Sequence, residues 1–277
     1  MNNIMFLARL LVLFSLVCIS CAHSSFEQKQ LKHALDFATS NRLELEILLQ
    51  HYTYDSLKLE AAKFLIRNMP HCYSYQQGGE MDSVKRVRTY YSPFGQIDQT
   101  YARRWGHYTY RNLPKIYDAH IITAEYLIDN IDRAFDNWQK RPWNRSLSFE
   151  DFCEYLLPYR IGDEPLEEWR ELYEKKYGYL LDSIYKGSDV VEAANLVSRH
   201  LQEPVFIYCE DFELPHIGPR YLFSHRYGSC VDAADIVTYA FRAVGIPCME
   251  DTDARGGHVW NVVRDTTGRD VPIWYIA

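Results

Sequence analysis

Two residues near the C-terminal end have the types and setting for nucleophilic chemistry. Cys230 stands directly after Gly228 and Ser229 and opens an apolar run that ends at Gly245-Ile246-Pro247. Val231, Ala234, Val237, Phe241 and Val244 recur at steps of three and four, one face of a helix. Ser229 with Asp232 fits a capping box, and Gly245 before Ile246-Pro247 is a stop signal, so the spacing predicts a helix over 230–244. Cys230 then lies in its first turn, where unpaired N–H groups and the positive dipole end favour a thiolate over a thiol. The plainer reading is that a free cysteine packs as a small buried residue. A nucleophilic thiol needs a base, and His258 is the candidate: it follows Gly256-Gly257 and opens the strand-like stretch "HVWNVV".

The elements that must position these two residues differ between the halves of the chain. From Phe26 to Leu201 the pattern is helical. Asp55 is placed to cap a helix through Leu57, Ala61, Leu65 and Asn68, and Asp118 to open a long run from Ile121 to Phe135. Ser148 with Asp151 and Asp189 with Glu192 mark two more starts, while Pro165 suits the first turn of "EPLEEWRELYEKKYGYLLDSIY". Gln76 to Arg111, rich in Tyr, Gly and Arg, reads as a long irregular excursion. After Leu201 the pattern turns to strands: Pro204 to Asp211, "PCMEDTD", "GHVWNVVRD" and "RDVPIWYI", the last two joined as a hairpin across Asp265-Thr266-Thr267-Gly268. The fold class expected is α+β: a helical N-terminal region over 22–201, then a core over 202–277 in which the Cys230 helix packs on antiparallel strands.

The 277 residues carry a formal net charge of −7, which argues against a nucleic-acid partner. The first 21 residues read as an export leader: a short n-region ending at Arg9, an apolar stretch from Leu10 to Ile19, then Ser20-Cys21. That ending resembles a bacterial lipoprotein signal, which implies a lipidated Cys21, a membrane contact through that anchor, and a cell-envelope location facing the periplasm or the surface. An ordinary cleaved secretory signal is the other reading. Cys72, Cys153, Cys209, Cys230 and Cys248 follow the leader, an odd number without a CxxC pair. Neither a disulfide framework nor a zinc site is expected, and no cofactor is called for. Asp211, Glu213, Glu250, Asp251 and Asp253 read as solvated loop acids, His71, Cys72 and His107 lack ligands at metal spacing, and Arg226 and Tyr227 are placed either to line a cleft or to pack.

The motif "GSCVDAADIVTYAFRAVGIPC…GGHVWNVV" resembles the transglutaminase-like core, a papain-like cysteine superfamily, over roughly Tyr227 to Val263. "FCEYLLPYRIGDEPLEEWRELY" is similar to the region preceding that core in secreted bacterial members. The resemblance implies Cys230 as nucleophile, His258 as base and an Asp on the next strand beside the histidine. It also implies acyl transfer on a peptide or protein substrate, with hydrolysis expected over crosslinking because water is abundant outside the cytoplasm. A hairpin centred between Thr266 and Thr267 sets Tyr275 opposite His258, and Ile273 to Ala277 contain neither carboxylate nor amide. Three readings stay open: a core incomplete at its C-terminal edge, a working Cys–His dyad, and a binding or scaffold lipoprotein that has lost the chemistry.

Overall fold

The computed structural model describes residues 25–91, 109–203, 206–208 and 214–275. The leader with Cys21 lies outside the described residues, as do His107, Cys209, Asp211, Glu213, Ile276 and Ala277. The architecture is mixed helix and sheet, about 60% helical with short, mainly antiparallel sheets, as an α+β chain should be. No helix among the described residues is long and apolar enough to cross a membrane.

Residues 25–37 are helical (α1), followed by α2 (Arg42–His51) and α3 (Ser56–Asn68). Asp55 caps α3 as expected, its carboxylate accepting from the Lys58 N–H at 3.1 Å. β1 (Tyr73–Tyr75) pairs antiparallel with β2 (Lys115–Tyr117), and between them lies α4 (Gly79–Tyr91). The excursion expected over 76–111 is therefore partly helical. Met81 and Val84, three apart and both fully buried, give α4 an apolar face that the Tyr and Arg content of the stretch obscured.

Asp118 does not open the next helix. It sits in a short 3₁₀ turn, and α5 (Ala124–Lys140) starts at Thr123, whose hydroxyl accepts from the Tyr126 N–H at 3.2 Å. Asp118 is instead fully buried and held by both arms of Arg160, at 2.6 and 2.5 Å. α6 (Phe149–Tyr155) has the expected Ser148 cap. Pro165 lies outside any helix: α7 begins only at Arg170 and runs to Tyr179. The side chain of Glu164 turns back to accept the N–H groups of Ile161 and Gly162, both at 2.7 Å, so this stretch is tied into a loop. α7 passes into a π-helical turn over Leu180–Ile184, and α8 (Val190–Leu201) is capped by Asp189 as its sequence predicts.

Two apolar clusters organise these helices. One gathers α1, α2, α3, α5 and α6 around Leu45, Ile66, Leu127, Ile131 and Phe152. The other surrounds the Cys230 helix and draws in α7 and α8 through Tyr173, Tyr177, Ala194 and Val197. The helices of 170–201 thus build the same core as the strands that follow them. β3 (Ile207–Tyr208) pairs parallel with β4 (Tyr227–Gly228), and α9 (Pro219–Ser224) lies between them. α10 (Cys230–Ala243) then crosses the second cluster, all of it buried from Asp232 onward. Gly245 adopts φ +82° behind it; a side chain there would meet the Asn137 carbonyl at 2.8 Å.

β5 (Cys248–Thr252), β6 (Val259–Arg264) and β7 (Asp270–Ile273) form a three-stranded antiparallel sheet in that order. Cys248, Asn261, Val263 and Ile273 are buried toward α10. Asp265 organises the β6–β7 turn by accepting the N–H groups of Thr267 and Arg269, with Gly268 at φ +80°. This five-residue turn centres the hairpin on Thr267, one half-step beyond the expected centre. Asn261 faces Ile273, so the register lies one position beyond the one expected.

Candidate functional site

Cys230 is the first residue of α10, as the spacing predicts. The capping box is formed: the Ser229 N–H donates to Asp232 Oδ2 at 2.8 Å and the Ser229 hydroxyl reaches the same oxygen at 3.0 Å. This fixes the helix start and leaves the thiol half-buried rather than packed away. Gly228, with φ +154°, is required by the same cap, since a side chain there would fall 2.4 Å from the Asp232 carboxylate. Cys72, Cys153 and Cys248 are free thiols too, but burial pushes each of them up, to about 11 for Cys72 and about 12 for the other two.

His258 stands one residue before β6, on the exposed loop that Asp253 organises by accepting the N–H groups of Arg255 and Gly257. Cys230 and His258 line one small cavity of about 110 Å³, together with Tyr208, Ala233, Trp260 and Trp274. The two residues singled out by type and spacing are therefore brought together. An orienting carboxylate is not. The ring that lies against His258 from the neighbouring strand end is Trp274, nearly parallel at 9° with centroids 6.1 Å apart, and Trp260 completes the group at 6.0 Å from His258. Asp251 and Asp253 make no hydrogen bond to the imidazole, which has no hydrogen-bond partner among the described residues; the Asp253 N–H bonds only the His258 carbonyl, at 3.1 Å. Tyr275 is turned into the core, its hydroxyl on the Leu201 carbonyl at 2.7 Å.

Other sequence candidates resolve differently. Arg226 is buried and donates to the Tyr177 hydroxyl, a packing role. Glu250 is not a solvated acid. It lies inside the sheet against α10, accepts from the Thr238 hydroxyl at 3.1 Å, and is hydrogen-bonded to Asp235. Burial first, then the Asp235 charge, holds its carboxyl well above the usual range. Asp235 in turn accepts from His216 Nδ1 at 2.9 Å and is completely buried. Burial opposes the imidazolium, but the Asp235 charge and hydrogen bond outweigh it and push His216 up to about 11. Sequence reasoning missed this His216–Asp235–Glu250 chain. One signal was present: a carboxylate inside the apolar run Ala233-Ala234-Asp235-Ile236-Val237 needs a buried partner. No group of three or more His, Cys, Asp or Glu side chains among the described residues is arranged to hold a metal ion.

No protein-family model matches the chain, and no curated protein or solved structure matches it. The functional reading therefore rests on the residues themselves.

Proposed function

We propose that Cys230 and His258 are a thiol–imidazole dyad performing transglutaminase-like acyl transfer, with water as the acceptor, on a peptide or protein substrate. The observation that carries this reading is the single cavity shared by a capped helix-start cysteine and a strand-start histidine. Cys230 Sγ as thiolate attacks the amide carbonyl, the oxyanion is stabilised by N–H groups at the start of α10, and the C–N bond breaks as His258 gives its proton to the leaving amine. Neutral His258 then takes a proton from water as it attacks the thioester, releasing the acid and restoring the thiol. The chain is read as an exported cell-envelope lipoprotein anchored through Cys21. Screening the full chain against peptide amides should give hydrolysis that Cys230→Ala abolishes and His258→Ala lowers by about 10²-fold or more. Turnover indifferent to either change would sink the proposal.

A second reading is a binding or scaffold lipoprotein with a degenerate site, and one observation favours it: the ring beside His258 from the neighbouring strand end is Trp274, and no carboxylate among the described residues bonds the imidazole. Trp274→Asp separates the two. Trp274 is 61% exposed, so its replacement is tolerable to the fold. On the enzyme reading an acid there holds the ring's tautomer and direction, and peptide-amide hydrolysis should rise about tenfold or more. On the binding reading the variant stays as inert as the parent.

A further inference from the structure

A second, larger cavity shares no lining residue with the Cys230–His258 site. It encloses about 710 Å³ between α3, the loop at 158–163, His216 and β5. That is within the range of roughly 300–1,000 Å³ usual for small-ligand sites. Phe64, Leu65, Pro158, Ile161 and Met249 supply apolar wall. Its polar end is built and rigid. His216 Nδ1 is committed to the fully buried Asp235, which Glu250 braces from behind. That leaves Nε2 as the remaining donor, and it has no hydrogen-bond partner among the described residues. The imidazole keeps 24% of its side chain exposed and lines the cavity, so Nε2 is left to solvent or a ligand rather than to the fold.

Gly162 packs beside that nitrogen. A side chain at position 162 would fall 2.3 Å from His216 Nε2, so only glycine lets the 158–163 loop pass this close to the imidazole. Beside it, Asp163 uses Oδ1 to accept the His216 backbone N–H at 2.9 Å, and no hydrogen bond among the described residues occupies Oδ2. A donor and an anionic acceptor on adjoining segments, in an open and mainly apolar cavity that Glu154 and Arg160 also line, complement a ligand with an acceptor oxygen next to an ammonium group. A peptide's free N-terminus has that pair, in its α-ammonium and first carbonyl. The chamber has room for more than one apolar residue behind them.

We propose that this cavity binds the free N-terminal end of an apolar peptide, with Asp163 taking the ammonium and His216 the first carbonyl. The site is independent of the Cys230–His258 chemistry. Isothermal titration of the full chain with the tripeptide Leu-Ala-Leu tests it, alongside N-acetyl-Leu-Ala-Leu and leucine. The unblocked tripeptide should bind. Acetylation and Asp163→Asn should each weaken binding by about tenfold or more, the loss of one charge-assisted contact. Asn at 163 still accepts the His216 N–H, so the fold is retained, and circular dichroism checks this. Cys230→Ala should bind as the parent does, which separates this site from the other cavity. Equal binding of the acetylated peptide, equal binding of leucine, indifference to Asp163→Asn, or no binding by any probe would each overturn the proposal.

Discussion

Arg170→Met is expected to destabilise the protein by about 3 kcal/mol or more, near the upper end for a single substitution. Arg170 is buried at the start of α7 and donates in five directions. Its partners are Asn130 Oδ1 at 2.5 Å and the carbonyls of Leu156, Leu157, Pro158 and Arg242 at 2.6–3.3 Å. Three of those carbonyls leave the C-terminal end of α6, where a helix has no partners of its own for its last C=O groups. Burial and the like charge of Arg242 pull Arg170 below the usual arginine range, so the cation is held at a cost that only this set of acceptors offsets. Methionine keeps much of the volume and removes every donor, leaving several buried acceptors unmade at about 1–3 kcal/mol each before relaxation. Urea unfolding would report the loss as a lower midpoint at unchanged slope. Arg170→Lys should recover only part of it, because an ammonium cannot span the fork. A change under about 1 kcal/mol for Arg170→Met would mean that water reaches these carbonyls and the guanidinium is dispensable.

Asp235→Ala is the second large effect, expected to cost about 3–5 kcal/mol, because it strips the partner from the His216 imidazolium and leaves Glu250 without its hydrogen-bond partner. The pH dependence of the pair has a definite sign. His216 is raised in the folded protein from an ordinary value of 6.5 to about 11. The stability it contributes is therefore fully present below about pH 6.5 and is lost as pH rises through about 11. Glu250, whose folded carboxyl is also raised, acts in the same direction from about pH 4.5 upward, but it is common to parent and variant. The stability gap between the parent and His216→Gln should accordingly be widest near pH 6 and narrow toward pH 10. Urea midpoints at pH 6, 8 and 10 measure it. A gap that grew with pH would mean that His216 is neutral in the folded state.

The parts legible in the sequence are those with local causes. The caps at Asp55, Ser148, Asp189 and Ser229 each needed only a side-chain oxygen on the residue directly before a helix, and each is in place. The β6–β7 hairpin was legible from alternation and Gly268, although the extra turn residue moved its register by one position. The parts that were not legible depend on distant partners. Asp118 looks like a cap in sequence, yet Arg160 claims it for a buried ion pair. Pro165 looks like a helix start, yet Glu164 ties down the preceding loop. At the candidate site the residue types and spacing found Cys230 and His258, because a helix cap and a Gly-Gly before a strand are local signals. Trp274 against His258, and His216 beneath α10, are contacts between segments that no spacing rule connects.

The claim at the centre of this account is that Cys230 and His258 act on one another. Its most direct test is the alkylation rate of Cys230 by iodoacetamide from pH 5 to 9, in the parent and in His258→Ala, read by mass spectrometry of the Cys230 peptide. The account predicts rapid labelling well below the ordinary thiol pKa of about 8.5, and a marked slowing when His258 is removed. Labelling that rises only as an ordinary thiol ionises, identical in the two proteins, would contradict it.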